Sequence, residues 1–169
     1  MSNYDDAITW FRMALMDIKR ILRNYQADDY ADTAYRIQFC SEKILKGLIL
    51  LYGAQFKKIH TPSIIIKNEI LTKDPGISVF ESERLQKIID DASILEELAT
   101  IPRYGIEVNG QFIEPETIYN EESIGTIIPY LLDIIENLTE ILQKKDDTFW
   151  KQIIEAFSNG RKELQYLLD

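Results

Sequence analysis

The chain has 169 residues, one cysteine, a formal net charge of −9, 46% apolar and 11% aromatic residues. Such a length supports one domain that buries a core without disulfides or metal, and the apolar share excludes a disordered chain. The charge excludes a general nucleic-acid binder, because affinity for phosphates needs Lys and Arg in excess; it is uneven, with nine Lys/Arg against seven Asp/Glu in residues 1–60 and ten against twenty-one in residues 61–169.

Tyr4, Ile8, Phe11, Leu15, Ile18, Leu22 and Tyr25 recur in alternating steps of four and three. That spacing sets them on one stripe of a first helix. Ser2 suits its N-cap, and Asp5 and Asp6 suit its first turn. After a break at Gln26–Asp29, a second stripe runs through Tyr30, Ala34, Ile37, Ser41, Ile44, Leu48 and Leu51. The small Ala34 and Ser41 predict close approach, Gly53 predicts the stop, and the short connection predicts an antiparallel pair.

Thr61-Pro62 predicts the start of a shorter third helix running to about Lys73, followed by a turn at Asp74-Pro75-Gly76. Ser78 and Glu81 have capping-box spacing. The fourth helix then carries Leu85, Ile88, Ala92, Leu95 and Ala99 on one face, and Pro102 is expected to end it. Residues 106–113 alternate around Asn109-Gly110, the preferred turn of a two-residue hairpin; an isolated hairpin is marginal, so packing on the bundle or a partner is expected.

Asn120 suits the N-cap of a fifth helix, with Ile124, Ile127, Leu131, Ile134, Leu138 and Ile141 as its stripe. Pro129 is expected to bend that helix or mark its true beginning. Lys144–Asp147 reads as a break before a last helix with Phe149, Ile153, Phe157, Leu164 and Leu167 on one face. The predicted fold is all-α: an antiparallel up-and-down bundle of about five to six helices with a short β-hairpin-like insertion near residues 106–113.

Helix two carries Glu42, Lys43 and Lys46. Glu42 and Lys46 stand four apart and can pair along a solvated surface; the functional alternative is that the lysines bind phosphate. His60, the only histidine, reads as a structural group, because acid–base work needs an orienting partner. One His and one Cys with no CxxC or HExxH spacing give no metal site, and no cofactor is indicated. Cys40 reads as a small core residue.

Arg103-Tyr104 offers two readings. The Arg anchors its loop on Glu107 or Glu114, or it is presented at a site with Tyr104 as a stacking surface. Arg12, Lys19 and Arg23 share a face of helix one, the natural RNA-facing surface if there is one. The start of the chain lacks a signal-peptide pattern, and no apolar run reaches the roughly 18 residues of a membrane span. With a single cysteine, a cytoplasmic location and no membrane contact are expected.

Several of these pieces stand in a familiar order. Trp10, Phe11, Ala14, Asp17 and Ile18 form a W-F-x-x-A-x-x-D-I opening. Ser41 to Leu48 form S-E-K-x-L-K-G-L, with Gly53 behind it and His60 at the next helix. Arg103-Tyr104 follows helix four, and Pro115-Glu116 to Tyr119 lead into the next long helix. The chain thereby resembles the HEPN (higher eukaryotes and prokaryotes nucleotide-binding) domain family over residues 5–143. The resemblance implies a HEPN-like bundle over residues 1–145, with 146–169 as an additional C-terminal helix packed on it. It also implies a homodimer and a nucleotidyltransferase partner, as in toxin–antitoxin modules.

Many active members of that family are metal-independent ribonucleases with an Arg shortly before a His on one late helix. Here an Arg would have to stand at 53, 54 or 55, and those positions hold Gly53, Ala54 and Gln55. Gly105 also replaces the usual proline after Arg-Tyr. The leading expectation is therefore a non-catalytic protein that binds a nucleotide, RNA or a nucleotidyltransferase through Lys43, Lys46, Arg103 and Tyr104, supported by Asp17, Glu42 and His60. The alternatives are a ribonuclease with an atypical site built on His60 or Arg103, and a scaffolding helical dimer.

Overall fold

The computed structural model describes residues 3–56, 60–73, 75–98, 100–145 and 148–169. Ser2, Asp74, Ala99 and the Asp146-Asp147 pair, to which the sequence assigned a cap, a turn, a stripe position and part of a break, lie outside them. Helix α1 spans Asn3–Gln26 and α2 spans Tyr30–Leu51; α3, Pro62–Ile65, continues as a π-helix over Ile66–Leu71. Then follow α4 (Val79–Glu96), α5 (Ile101–Tyr104), β1 (Ile106–Val108), β2 (Gln111–Ile113), α6 (Pro115–Ile118), α7 (Glu121–Gln143), a 3-10 turn (Thr148–Trp150) and α8 (Lys151–Gln165). The fold is an all-α bundle with one small antiparallel ribbon.

α1 and α2 make the most extensive contact. Asn24 meets Asp32, Asp17 meets Lys43 and Phe11 lies against Gly47, so the helices run antiparallel. A Cβ on Gly47 would stand 2.4 Å from the Phe11 ring, so glycine sets this approach, along with the fully buried Ala34 on the same helix. The buried face of α1 is Ala7, Ile8, Phe11, Ala14, Ile18 and Ile21, so Ile8, Phe11 and Ile18 of the predicted stripe are core, while Tyr4 is exposed and Leu15, Leu22 and Tyr25 flank the seam. The predicted stripe is thus rotated by part of a turn, because alanines, invisible to a search for large apolar residues, occupy the line of closest approach.

α2 is the central helix, packing also on α4 and α7, and everything from Cys40 to Ile49 is buried. Ile49, outside the predicted stripe, is therefore core as well and offers no surface to a partner. Gly53 ends α2 as expected, with φ +75 and an Ala54 N–H donating to the Ile49 carbonyl. The Ser78–Glu81 capping box and the Asn120 cap are both formed, the latter with Ser123.

Pro102 does not end α4, which stops at Glu96; it sits in the first turn of the separate helix α5. A first-turn position needs no N–H donor and suits the fixed φ of proline, so the residue starts a helix there. Pro129 lies inside a continuous α7 and does not mark its beginning. Gly105 has φ +72 and ψ −166, and a Cβ there would meet the Ile113 carbonyl at 2.3 Å; proline cannot adopt that φ. Asn109 and Gly110 take positive φ in the hairpin turn, as the type requires. Val108 and Phe112 stay exposed, so the ribbon is not held by burial in the bundle.

α8 packs against α1 and α7. Its buried line is Trp150, Ile153, Phe157, Gly160 and Leu164; Trp150 is 1% exposed whereas Phe149, expected inside, is 51% exposed. The 3-10 turn at Thr148–Trp150 explains the correction, since three residues per turn shift the inward position by one. No helix of the described residues is long and apolar enough to cross a membrane.

Candidate functional site

The seam between α1 and α2 holds a set of matched charges. Asp17 is completely buried and accepts from the Lys43 ammonium and, at 2.7 Å, from Arg20 Nη1, with Arg36 Nη1 at 3.6 Å. One helical turn on, the Lys46 ammonium donates to Glu42 Oε1. It also lies 4.9 Å from the Trp10 ring centre and 5.6 Å from that of Phe56. Lys43 and Lys46 are both buried. The pairing of Glu42 with Lys46 is the one the spacing predicts, yet it forms inside the protein, where an ion pair is kept only if each charge is answered.

A cavity of about 420 Å³ opens beside this seam, between α2, the start of α3, the end of α4 and α5. Its aromatic wall is Tyr35, Phe39 and Tyr104; the Tyr35 and Phe39 ring centres stand 4.4 Å apart. Arg103 reaches over its mouth. The guanidinium lies 5.5 Å from the Tyr35 ring centre and 5.2 Å from that of Tyr104, and Nη1 donates to the Tyr35 hydroxyl at 3.4 Å. Among the described residues no carboxylate pairs with Arg103, so neither Glu107 nor Glu114 anchors it. A helix of one turn, opened by the buried Pro102 and closed by Gly105, holds Arg103 and Tyr104 in this place. Arg103 and Tyr35 also line a second hollow of about 390 Å³, so they form the ridge between the two.

His60 forms the opposite rim, its side chain 88% exposed, with Nδ1 3.6 Å from Glu42 Oε2. That separation is too long for a hydrogen bond. Glu96 closes the floor and is anchored by Ser63, whose N–H donates to Oε1 at 3.0 Å and whose hydroxyl donates to Oε2. Burial pushes the Glu96 carboxyl above its ordinary range, the Ser63 hydrogen bonds oppose this, and the charge of Glu42 adds to it. Burial likewise raises the Cys40 thiol; its Sγ donates to the Ala14 carbonyl, and it behaves as core.

The structure therefore divides the residues singled out in the sequence. Arg103, Tyr104 and His60 line one cavity, with Glu42 behind His60. Lys43, Lys46 and Asp17 lie in the seam, committed to internal pairs. Tyr35, Gln38 and Glu96 were not anticipated. For the first two a signal exists: Tyr35, Gln38, Glu42 and Lys46 recur at steps of three and four, with Phe39 four residues after Tyr35, a second polar-aromatic face beside the apolar stripe of α2. Among the described residues no group of three or more His, Cys, Asp or Glu is placed to hold a metal ion.

No solved structure matches the chain. It is 25% identical over 130 residues to the protein named "Putative toxin MJ1304" of Methanocaldococcus jannaschii, covering 77% of this chain and 82% of that protein. The model of the HEPN domain matches residues 7–146. That span takes in α1, α2, the cavity and α7, and it shows that the chain belongs to the HEPN domain family.

Proposed function

We propose that this HEPN-domain protein binds a nucleotide, free or within single-stranded RNA, in the cavity between α2 and α5. The observation that carries the reading is Arg103, a guanidinium among aromatic rings with no carboxylate partner in the described residues, at the mouth of a largely apolar cavity. A flat base suits the Tyr35 and Tyr104 faces, and a phosphate suits the guanidinium. A cavity of about 420 Å³ is in the range of small-ligand sites. Lys43 and Lys46, paired with Asp17 and Glu42 in the adjoining seam, contribute by holding α2 in place behind the cavity. Self-association and pairing with a nucleotidyltransferase are part of the same proposal, and both are read out by sedimentation of the protein alone and mixed with a candidate partner.

The test is a titration of the purified protein with nucleoside monophosphates and a short single-stranded RNA at low salt. Arg103→Ala is expected to weaken binding by about tenfold or more, the loss of one charge-assisted contact. Equal binding by the wild type and this variant sinks the site assignment.

A second reading is favoured by one observation: His60 and Arg103 face the same cavity, with a carboxylate 3.6 Å from His60 Nδ1. A small movement of His60 toward Glu42 would orient the imidazole for acid–base cleavage of RNA beside the Arg. The similarity to a protein named as a toxin points the same way. RNA cleavage that persists in His60→Ala excludes this reading, and no cleavage by micromolar wild-type protein excludes it as well.

A further inference from the structure

The ribbon of β1 and β2 has no place in the bundle. It makes no extensive contact with any helix, and among the described residues no backbone group of residues 106–113 bonds outside it. Ile106, Val108 and Phe112 are 38%, 43% and 60% exposed. A free-standing hairpin is marginal in water, and apolar side chains left in solvent add nothing to its stability. Yet its turn has the conformation that matches the twist of the strands, with Asn109 at φ 52 and Gly110 at φ 77. Gly105 fixes its root, because a Cβ there would meet the Ile113 carbonyl. A preformed ribbon with apolar side chains that its own bundle does not bury is suited to a surface outside the chain.

The register shows which groups it offers. Val108 pairs with Gln111 across the two-residue turn and Ile106 with Ile113; these are the pairs that exchange hydrogen bonds. Glu107 and Phe112, paired between them, therefore turn their N–H and C=O groups outward, one to each edge. The two edges differ. β2 runs through Glu114 into Pro115, which has no N–H to offer and starts α6, so that edge is cut short. β1 carries no proline, lysine or bulge, the devices that blunt an edge. It is the open one, with Glu107 at its middle.

Charge selects the occupant. Residues 104–143 hold eight Asp or Glu and no Lys or Arg, and Glu107, Glu114 and Glu116 are exposed at and beside the ribbon. A second copy paired antiparallel about the middle of this edge would set Glu107 against Glu107, and like charges directly opposite destabilise a pair. We propose that the β1 edge is a docking site for a partner protein that adds an extended strand bearing Lys or Arg. Its backbone pairs with that of Glu107, a basic side chain lies opposite the Glu107 carboxylate, and the residues on either side lie with Ile106 and Val108. Main-chain bonds then supply the affinity and alternate side chains the selectivity. No residue of the ribbon lines the cavity, so this site and the nucleotide site stand or fall separately.

The experiment uses the full chain and three labelled eight-residue peptides: one alternating Val and Lys, one alternating Val and Glu, and the Val-Lys peptide with its four central amides N-methylated. Fluorescence anisotropy is expected to show saturable binding of the Val-Lys peptide, binding at least about tenfold weaker for the N-methylated one, and none for the Val-Glu peptide. Glu107→Pro removes the outward N–H of this edge, and Glu107→Lys reverses its charge. Each is expected to weaken the Val-Lys peptide by about fivefold or more, the loss of one contact, while Phe112→Pro on the other edge leaves it within about twofold. Hydrogen exchange at the Glu107 amide is expected to slow when the peptide is bound. Equal binding of the N-methylated peptide means charge attraction without strand pairing and overturns the proposal; so does binding of the Val-Glu peptide, or no binding of the Val-Lys peptide. A dimer of the chain alone that sedimentation shows to dissociate in Glu107→Pro or Phe112→Pro overturns it in favour of a second copy. Glu107→Lys, at an exposed position, and the peptide comparison on the wild type decide the matter even if a proline variant loses the ribbon.

Discussion

Two faces of α2 treat buried polar groups in opposite ways. Toward α1, every buried charge is answered: Asp17 takes Lys43, Arg20 and Arg36 around it, and Lys46 takes Glu42 and two rings. Toward α5, among the described residues, Gln38 Oε1 has no hydrogen-bond partner and Arg103 has no carboxylate. Paired groups inside a helix seam fix register and approach, whereas unpaired ones cost folding free energy and so point outside the chain. The lysines of the S-E-K-x-L-K-G-L pattern thus belong to the architecture more than to its open site, and the distinction comes from partners, which spacing along one helix does not reveal.

The sharpest way to break this comparison is Asp17→Ala. It leaves the Lys43 ammonium in the seam with no carboxylate, and breaking one side of a buried pair costs about 3–5 kcal/mol. Urea denaturation should show a loss of that order. A loss below ~1 kcal/mol would mean that the seam is wet and its charges solvated, and the contrast with the cavity would disappear.

Gly47→Ala comes next. The added methyl would fall 2.4 Å from Phe11 Cε1, so either the ring or α1 must move. Overpacking of this kind costs about 1–3 kcal/mol, read as a lower denaturation midpoint at unchanged m-value. Arg103→Ala sharpens the other side. With no ion pair to lose, it should leave stability within about ±0.5 kcal/mol while ligand affinity falls. A strongly destabilised Arg103→Ala would make Arg103 a loop anchor after all.

The helices were readable because large apolar residues repeat at helical spacing and because caps are local: the Ser78 and Asn120 boxes and the Gly53 stop depend on neighbours within a few residues. What the sequence placed wrongly depends on packing or on a change of helical period. The alanines of α1 take the seam in place of Tyr4, Leu15 and Leu22, and a 3-10 turn exchanges Phe149 for Trp150. Pro102 looks the same to a reader whether it closes one helix or opens another. The cavity follows the same logic. His60 and the Arg103-Tyr104 pair stood out by residue type, but that they meet Gln38 across one opening depends on how α5 docks on α2, and no local pattern encodes that.

The smallest expected effect tests the same contrast on another helix. α4 carries two buried-side carboxylates of opposite fate. Burial alone would raise Glu81, but hydrogen bonds from Lys145, Ser78 and Tyr52 outweigh it and hold the carboxyl at about 2. Asp91 faces the α4–α7 groove. Burial first, then the charges of Asp133 on α7 and Asp90 on α4, push it up to about 6, opposed only by Lys87; the nearby Arg84 is committed to Glu140. The signs are opposite. Glu81, depressed from 4.5, contributes stability that is present above that value and lost as pH falls through about 2. Asp91, raised from 3.8, binds its proton more tightly in the folded state, so its contribution is favourable below 3.8 and is lost as pH rises through about 6. Asp91→Asn should therefore raise Tm at pH 7.5, by roughly 2–4 °C for about 1 kcal/mol after allowance for solvent screening. The gain should vanish near pH 4. Glu81→Gln should do the reverse, lowering Tm at pH 7.5 with a difference that shrinks toward pH 2. Melting curves of the two variants against pH decide it. Parallel curves for Asp91→Asn and the wild type across that range would show that the groove carboxylates are solvated like any surface group, and that only the paired charges of this protein are tied to its folding.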